Sequence, residues 1–184
     1  MSLLRLLTLA AAQLAWIIPA STFAGACPES LDHHKRPLTG QEPVHLCDVM
    51  HDKVVLVVNT ASKCAYTPQY DGLEKLYQRY RERGLLVVGF PSNDFAGQEP
   101  GSEKQIQDFC RLTYGVQFPM FEKVHVKGDS IDPFYDYLAR QTGESPRWNF
   151  HKYLLDRDGR VVASFPSQVK PDDRRLVGMI EDLL

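Results

Sequence analysis

Two continuous apolar runs constrain the fold of this chain more than any other feature. They occupy residues 54–58 and 85–90 and consist mainly of valine and leucine. Neither run alternates with polar residues, as a strand with one solvated face would, so both are predicted to be strands buried on two faces. Between them Leu73, Leu76 and Tyr80 recur at helical spacing. Strand, helix and strand in this order form a right-handed parallel unit, and the first run is expected to be a central strand.

The remainder of the chain adds further helices, an extended segment and a hairpin. Ser102 is a suitable N-cap for a second helix, and Asp132 followed by Pro133 opens a third. The pattern assigns a partly extended segment to 118–126, a β-hairpin to 148–155 and 160–165, and a last helix to the chain from about 171. This order predicts an α/β chain with a thioredoxin-like fold, in which a central mixed sheet is flanked by helices.

A polar, proline-containing segment precedes the first buried strand. Residues 38–43 are typical of a turn and residues 44–46 of a short strand, so we expect an N-terminal hairpin or loop extension. The histidines of this region are His33, His34, His45 and His51. Their spacing matches no metal-ligand motif, and we therefore expect no metal site.

The first 26 residues differ from everything after them. Arg5 precedes a mostly apolar run over 6–18, followed by Pro19 and small residues at 24–26. This layout predicts a cleaved secretory signal over residues 1–26 and a single thioredoxin-like domain over 27–184, exported to the periplasm or secreted after cleavage near Ala26. A membrane anchor is the alternative, but the apolar run is shorter than the ~20 residues that a spanning helix needs.

The charge balance argues against nucleic acid as a partner. Loss of residues 1–26 removes Arg5 from the 21 basic residues and none of the 23 acidic ones, which leaves 20 against 23 and a net charge of −3. The longest basic cluster, Arg79 to Arg83, lies on a predicted helix and is read as a solvated face. No stable membrane insertion of the mature chain is expected either.

All four cysteines lie beyond the predicted leader: Cys27, Cys47, Cys64 and Cys110. An oxidising compartment allows disulfides to persist. Cys27 and Cys47 flank a segment with few apolar residues, so we predict a structural disulfide between them, worth ~3 kcal/mol in the loop-entropy description. The alternatives are that both stay reduced or that Cys27 carries a lipid.

Cys64 is the candidate reactive residue. It follows the first buried strand and precedes a helix that is predicted to begin near Thr67 or Pro68. Backbone donors at a helix N-terminus, together with the neighbouring Lys63, favour a thiolate. The alternative is an inert buried thiol, but a core cysteine has no need of the polar neighbours Ser62 and Lys63.

Four segments resemble the glutathione peroxidase family, and they occur in the order in which the family carries them. They are NTASKCAYT at 59–67, GFPSNDFAGQEPG at 89–101, FPMF at 118–121 and WNF at 148–150. Together they span nearly all of the chain from Lys53 onward.

The resemblance implies a catalytic tetrad of Cys64, Gln98, Trp148 and Asn149. In that reading Cys64 is the nucleophile that reduces hydrogen peroxide or an organic hydroperoxide. The two amides and the indole N–H are neutral donors for the departing oxygen. This chemistry implies neither a cofactor nor a metal.

The resemblance also implies a resolving role for Cys110, which lies where thioredoxin-linked members carry their second cysteine. Cys64 would become a sulfenic acid, condense with Cys110 and be reset by a thioredoxin-like dithiol or by glutathione. The alternative is a buried helix cysteine, since Cys110 continues an apolar face with Ile106 and Phe109. The loop before Trp148 is too short for the insertion of the tetrameric members, so we expect a monomer, with a dimer as the alternative.

Two other functions use the same residues. A thiol–disulfide oxidoreductase normally carries Cys-x-x-Cys, whereas the residue three after Cys64 is Thr67. An exported redox sensor would pass oxidation to a partner through Cys64 and Cys110. Only a peroxidase would consume peroxide catalytically, and this distinguishes it from both alternatives.

Overall fold

The computed structural model describes residues 27–184, so the predicted leader over 1–26 lies outside the described residues. The strands in this range are β1 (His34–Lys35), β2 (Val44–His45), β3 (Val54–Thr60), β4 (Leu85–Pro91), β5 (Lys152–Leu155) and β6 (Val161–Phe165). The α-helices are α1 (Leu46–Met50), α2 (Gln69–Tyr80), α3 (Glu103–Tyr114), α4 (Pro133–Thr142) and α5 (Arg174–Leu183). Short 3₁₀ turns occur at Glu29–Leu31 and Arg81–Arg83.

The main sheet has four strands in the order β4-β3-β5-β6. β3 pairs in parallel with β4 and antiparallel with β5, and β5 pairs antiparallel with β6. Both apolar runs are therefore strands, and β3 is central, as predicted. β1 and β2 form a separate two-stranded hairpin, which is the expected N-terminal extension.

The side chains of β3 alternate between two apolar cores, one on each face of the sheet. Val54, Leu56 and Val58 point into the core that contains Cys64, Cys110 and the buried faces of α2, α3 and α5. Val55 and Val57 point into the core beneath α1 and α4. Helices thus cover both faces, and the predicted layered arrangement is present.

The predicted helix starts hold with small shifts. Ser102 forms a reciprocal capping box with Gln105, and Asp132 accepts a hydrogen bond from the N–H of Phe134. Helix α5 begins at Arg174, later than expected, because Asp173 caps it. Gly84 adopts φ 105° and ends the turn after α2.

Three local features differ from what the sequence pattern suggested. Residues 118–126 make isolated bridges, including Gly89 to Met120, and no strand, because Pro119 lacks an N–H for a continuous ladder. Helix α1 was not predicted. It has only five residues, and its buried apolar residues, Leu46 and Met50, are too few to form a recognisable helical pattern. Residues 148–150 form a turn with Phe150 at φ 64°, so β5 begins only at Lys152.

A disulfide joins Cys27 to Cys47, with their Cα atoms 5.9 Å apart. It ties the start of the described chain to α1 on the sheet face opposite Cys64. Among residues 27–184, no helix has the length and apolar character that a membrane crossing requires.

Candidate active site

Cys64 lies in a tight turn between β3 and α2. Its backbone N–H donates to Thr67 Oγ1 at 3.0 Å, and the Thr67 hydroxyl donates to the carbonyl of Ala61 at 2.9 Å. The N–H of Tyr66 donates to Cys64 Sγ at 3.4 Å. The cysteine is buried, with 8% of its surface exposed.

Helix α2 begins later than predicted, at Gln69 rather than at Thr67 or Pro68. Thr67, the expected helix start, instead holds the turn closed through its hydroxyl. The backbone donor at the sulfur is therefore the Tyr66 N–H within the turn and not the first turn of the helix.

Gln98 is brought to this turn by the loop after β4. Ala96 and Gly97 both adopt positive φ, 53° and 61°, which reverses the chain so that Gln98 faces the cysteine turn. The N–H of Lys63, adjacent to Cys64, donates to the carbonyl of Gln98 at 3.0 Å. The Gln98 backbone is thus fixed against the cysteine turn.

Asn149 joins the same group from the turn before β5. Its Nδ2 donates to Gln98 Oε1 at 2.9 Å, and its side chain is fully buried. Because Gln98 accepts through Oε1, its Nε2 is left as a donor for another group. One N–H of Asn149 Nδ2 is likewise left for a further acceptor.

Trp148 lies on the rim of the site. It is 38% exposed, and its ring packs 5.7 Å from that of Phe95 in the Gln98 loop. Asn59 at the end of β3 fixes the backbone here, since its Nδ2 donates to the Trp148 carbonyl at 3.1 Å. The structure therefore links all four predicted residues through contacts between three segments.

One further polar residue beside the cysteine turn, Glu99, was not singled out from the sequence. Glu99 is 1% exposed, and its carboxylate accepts from Ser62 Oγ at 3.1 Å. Burial raises the pKa of Glu99, against the opposing hydrogen bond from Ser62. The sequence signal that could have identified Glu99 as a site residue is its position directly after Gln98.

Lys152 is a second residue near the site that was not predicted from the sequence. It is fully buried, and its Nζ donates at 2.7 Å to Gln69 Oε1, to the Phe150 carbonyl and to the Val169 carbonyl. Burial lowers the pKa of Lys152 to about 7. The lysine ties the first residue of α2 to the segment that carries Trp148 and Asn149.

Cys110 lies on α3 in the same core as Cys64 and is fully buried. Both cysteines are free thiols. Burial raises the pKa of Cys110 to about 11, and the neighbouring Tyr70 hydroxyl only partly offsets this. A disulfide requires Cα atoms within ~7 Å, and Cys110 is held on α3 with a fully buried side chain.

Taken together, the fold and the site are those of a thiol-dependent oxidoreductase of thioredoxin-like fold. Cys64 is a free thiol with no Cys-x-x-Cys partner, and the loop that carries Gln98 is bonded to its turn and to Asn149. The family model described as "Glutathione peroxidase" matches residues 32–139. The chain belongs to the glutathione peroxidase family and is a peroxidase.

Individual relatives agree with this assignment. The chain is 52% identical over 124 residues to a glutathione peroxidase-like peroxiredoxin of Schizosaccharomyces pombe, covering 65% of this chain and 78% of the relative. It is 50% identical over 137 residues to a hydroperoxy fatty acid reductase of Synechocystis sp., covering 74% and 88%. The crystal structure of Trgpx in its apo form superposes with a TM-score of 0.67 at 31% identity, over 84% of this chain and 94% of that one.

Proposed function

We propose that the protein reduces peroxides with Cys64 as the nucleophile. The thiolate attacks the terminal oxygen of a hydroperoxide, so that an S–O bond forms and the O–O bond breaks. The departing alkoxide or hydroxide takes up a proton and leaves as an alcohol or water. Cys64 is left as a sulfenic acid.

The hydrogen bond from Asn149 Nδ2 to Gln98 Oε1 is the observation that carries this proposal. It is 2.9 Å long, and the backbone of Gln98 is itself bonded to Lys63 beside the cysteine. The bond orients the remaining N–H groups of both amides as preorganised, uncharged donors. Such donors stabilise negative charge as it develops on a leaving oxygen.

Cys110 is proposed to resolve the sulfenic acid. Its sulfur attacks Cys64 Sγ, an S–S bond replaces the S–O bond, and the hydroxide leaves as water after taking a proton. A dithiol reductant then exchanges with this disulfide and returns both thiols. Because Cys110 is fully buried, opening of α3 precedes this step.

The reductant is proposed to be a thioredoxin-like dithiol, with glutathione as the alternative. A dithiol completes the exchange within one complex. Its first thiol forms a mixed disulfide with the protein, and its second thiol attacks that bond and releases the protein thiol. The relative from Schizosaccharomyces pombe is named a peroxiredoxin, which favours the dithiol.

Organic hydroperoxides are favoured as substrates by a groove that begins at the cysteine turn. The groove of about 870 Å³ runs from Ala65 and Tyr66 between α2 and α5. Its basic lining residues are Lys75, Arg79, Lys170 and Arg174, and its acidic ones are Asp172 and Glu181. An apolar chain with an anionic end suits this lining, and a Synechocystis relative is named a hydroperoxy fatty acid reductase.

Export to an oxidising compartment is proposed from the leader-like sequence over 1–26 and from the Cys27–Cys47 disulfide. Structural disulfides persist in such compartments and are rare in the reducing cytosol. The periplasm or the medium is the expected destination. A monomer is the proposed assembly, with a dimer as the alternative.

A peroxidase assay of the mature chain with thioredoxin and, separately, with glutathione tests the proposal. Cys64→Ser is expected to abolish turnover with both reductants. Cys110→Ser is expected to abolish turnover with thioredoxin while leaving one stoichiometric burst of peroxide consumption. Full activity of Cys64→Ser would overturn the nucleophile, and full thioredoxin-driven turnover of Cys110→Ser would overturn the resolving role alone.

The same assay separates the two alternative functions. A redox sensor would consume peroxide only stoichiometrically in the presence of excess reductant. A thiol–disulfide oxidoreductase would reduce a disulfide substrate and leave the peroxide untouched. Thr67 in place of a second cysteine argues against the latter.

A further inference from the structure

A cluster of two sulfur atoms and one imidazole lies on the sheet face opposite Cys64. Cys27, Cys47 and His45 each place one ligand atom so that all three atoms lie within 4.8 Å of one another. All three residues are half-buried. The spacing of the histidines along the chain matches no metal motif, because the ligands meet only when Cys27 is folded back onto the start of α1.

We propose that the reduced form of this cluster, two thiolates and one imidazole, is a binding site for Zn²⁺. Thiolate and imidazole are the ligands that zinc prefers in proteins, and a site with three protein ligands keeps a fourth position open. Zn–S bonds of about 2.3 Å and a Zn–N bond of about 2.0 Å place tetrahedral ligand atoms about 3.5 Å apart. The three atoms lie within 4.8 Å of one another, and reduction of the disulfide frees the two sulfur atoms to move apart toward this separation.

The surroundings of His45 prepare it as a ligand. Its Nε2 lies 3.0 Å from Asp32 Oδ1, which leaves the lone pair of Nδ1 for a cation when the neutral ring donates to the carboxylate. A carboxylate behind a ligating histidine fixes the ring and raises its basicity. The ring of His34 stacks on that of His45 at 4.7 Å, on the opposite strand of the β1–β2 hairpin. The ring of His45 is thus held from two sides.

Zinc binding and the disulfide exclude each other, because both use the same two sulfur atoms. A dithiol reductant supplies two electrons and two protons, becomes a disulfide itself and leaves Cys27 and Cys47 as thiols. Zn²⁺ then displaces the two thiol protons. This site is separate from Cys64 and does not depend on the peroxidase proposal.

The test uses the mature chain carrying Cys64→Ser and Cys110→Ser, so that Cys27 and Cys47 are its remaining thiols. After reduction with a phosphine under anaerobic conditions, Zn²⁺ is titrated against a chromophoric chelator. One zinc per chain is expected in the reduced protein and none in the oxidised protein. His45→Ala is expected to weaken binding at least tenfold, whereas the exposed His51→Ala is the matched control and is expected to bind like the parent.

Two results would overturn the proposal: no stoichiometric zinc in the reduced protein, or equal affinities for the His45→Ala variant and its parent. Circular dichroism of each reduced sample checks that the fold is retained. A second measurement on the wild-type chain avoids dependence on the variants. Zinc is expected to slow alkylation of Cys27 and Cys47 in the reduced protein at least tenfold, and unchanged alkylation rates would also contradict the site.

Discussion

Lys152 Nζ donates to Gln69 Oε1 over 2.7 Å, and this bond joins the first residue of β5 to the first residue of α2. Lys152 is fully buried, and its other two acceptors are backbone carbonyls. A buried ammonium is costly unless its protons are all satisfied. Here three neutral acceptors, on Gln69, Phe150 and Val169, satisfy them. Gln69 begins the helix that follows Cys64, and Phe150 directly follows Trp148 and Asn149.

Replacement of Lys152 by methionine is expected to lower the free energy of unfolding by about 2 kcal/mol. Methionine fills a similar volume but leaves three buried acceptors unpaired, at ~1–3 kcal/mol each, and this outweighs the relief of removing a buried ammonium. Urea denaturation at pH 7 measures the effect. The control is Lys104→Met on an exposed lysine of α3, which is expected to change stability by less than ~0.5 kcal/mol. A variant as stable as the wild type would show that the three bonds contribute no net stability.

Lys152 is also expected to make stability rise with pH above neutrality. Its pKa is lowered from 10.5 to about 7 in the folded protein. Below pH 7 both states hold the proton, and the cost of burying it applies in full. Between pH 7 and 10.5 only the unfolded chain holds it, so raising the pH disfavours unfolding.

Urea denaturation of the wild type and Lys152→Met at intervals from pH 6 to 10 measures this. The stability difference, wild type minus variant, should grow through the window because the other titrating groups are common to both proteins. A difference that stays flat would mean that Lys152 titrates at its ordinary pKa.

The protection of Cys110 gives a third prediction. The thiol is fully buried and its pKa is raised to about 11, whereas Cys64 is 8% exposed. At pH 7.5 iodoacetamide is therefore expected to label Cys64 at least tenfold faster than Cys110, as measured by mass spectrometry of the reduced protein. Mild urea should narrow the gap by opening α3. Faster labelling of Cys110 in the native protein would contradict its burial.

The sequence predicts the parts of this fold that depend on continuous apolar pattern. The runs at 54–58 and 85–90 became β3 and β4, and Ser102 and Asp132 cap the helices that they were predicted to cap. In these places local pattern and tertiary burial favour the same structure. The thioredoxin-like order of strands and helices was predicted from these elements.

What the sequence did not predict depends on contacts between distant segments. Thr67 was expected to open a helix, but its hydroxyl closes the cysteine turn by bonding to Cys64 and Ala61. Lys152 looks like a surface residue in isolation. Its period-2 relation to Leu154, which lies in the Cys64 core, was the signal that its side chain points inward.

His151 is expected to destabilise the fold in acid. Burial lowers its pKa from 6.5 to about 4, so the folded protein holds a neutral ring, and Nε2 lies 2.8 Å from Ser164 Oγ. Between pH 4 and 6.5 only the unfolded chain takes up the proton, and stability present above pH 6.5 is lost as the pH falls. Thermal unfolding across this range should show a shallower decline for His151→Gln, which does not titrate. Parallel pH profiles for the two proteins would exclude His151 as the source.

Asn149→Asp tests the donor role of the buried amide. Aspartate cannot donate to Gln98 Oε1, and its charge would face the negative charge that develops on the leaving oxygen. Loss of one such donor costs about 10²–10³-fold in kcat, so we expect kcat with hydrogen peroxide to fall by at least ~10²-fold.

The matched control is Asn93→Asp in the loop that carries Gln98. Asn93 is exposed and acts through Oδ1, which accepts from the N–H of Glu99 at 2.8 Å, and aspartate keeps that acceptor. Activity within about twofold of wild type is therefore expected for the control, since the same change in charge is made while the hydrogen bond of this side chain is kept. Equal losses in both variants would assign the effect to net charge near the loop, and an active Asn149→Asp enzyme would remove Asn149 from the proposed set of donors.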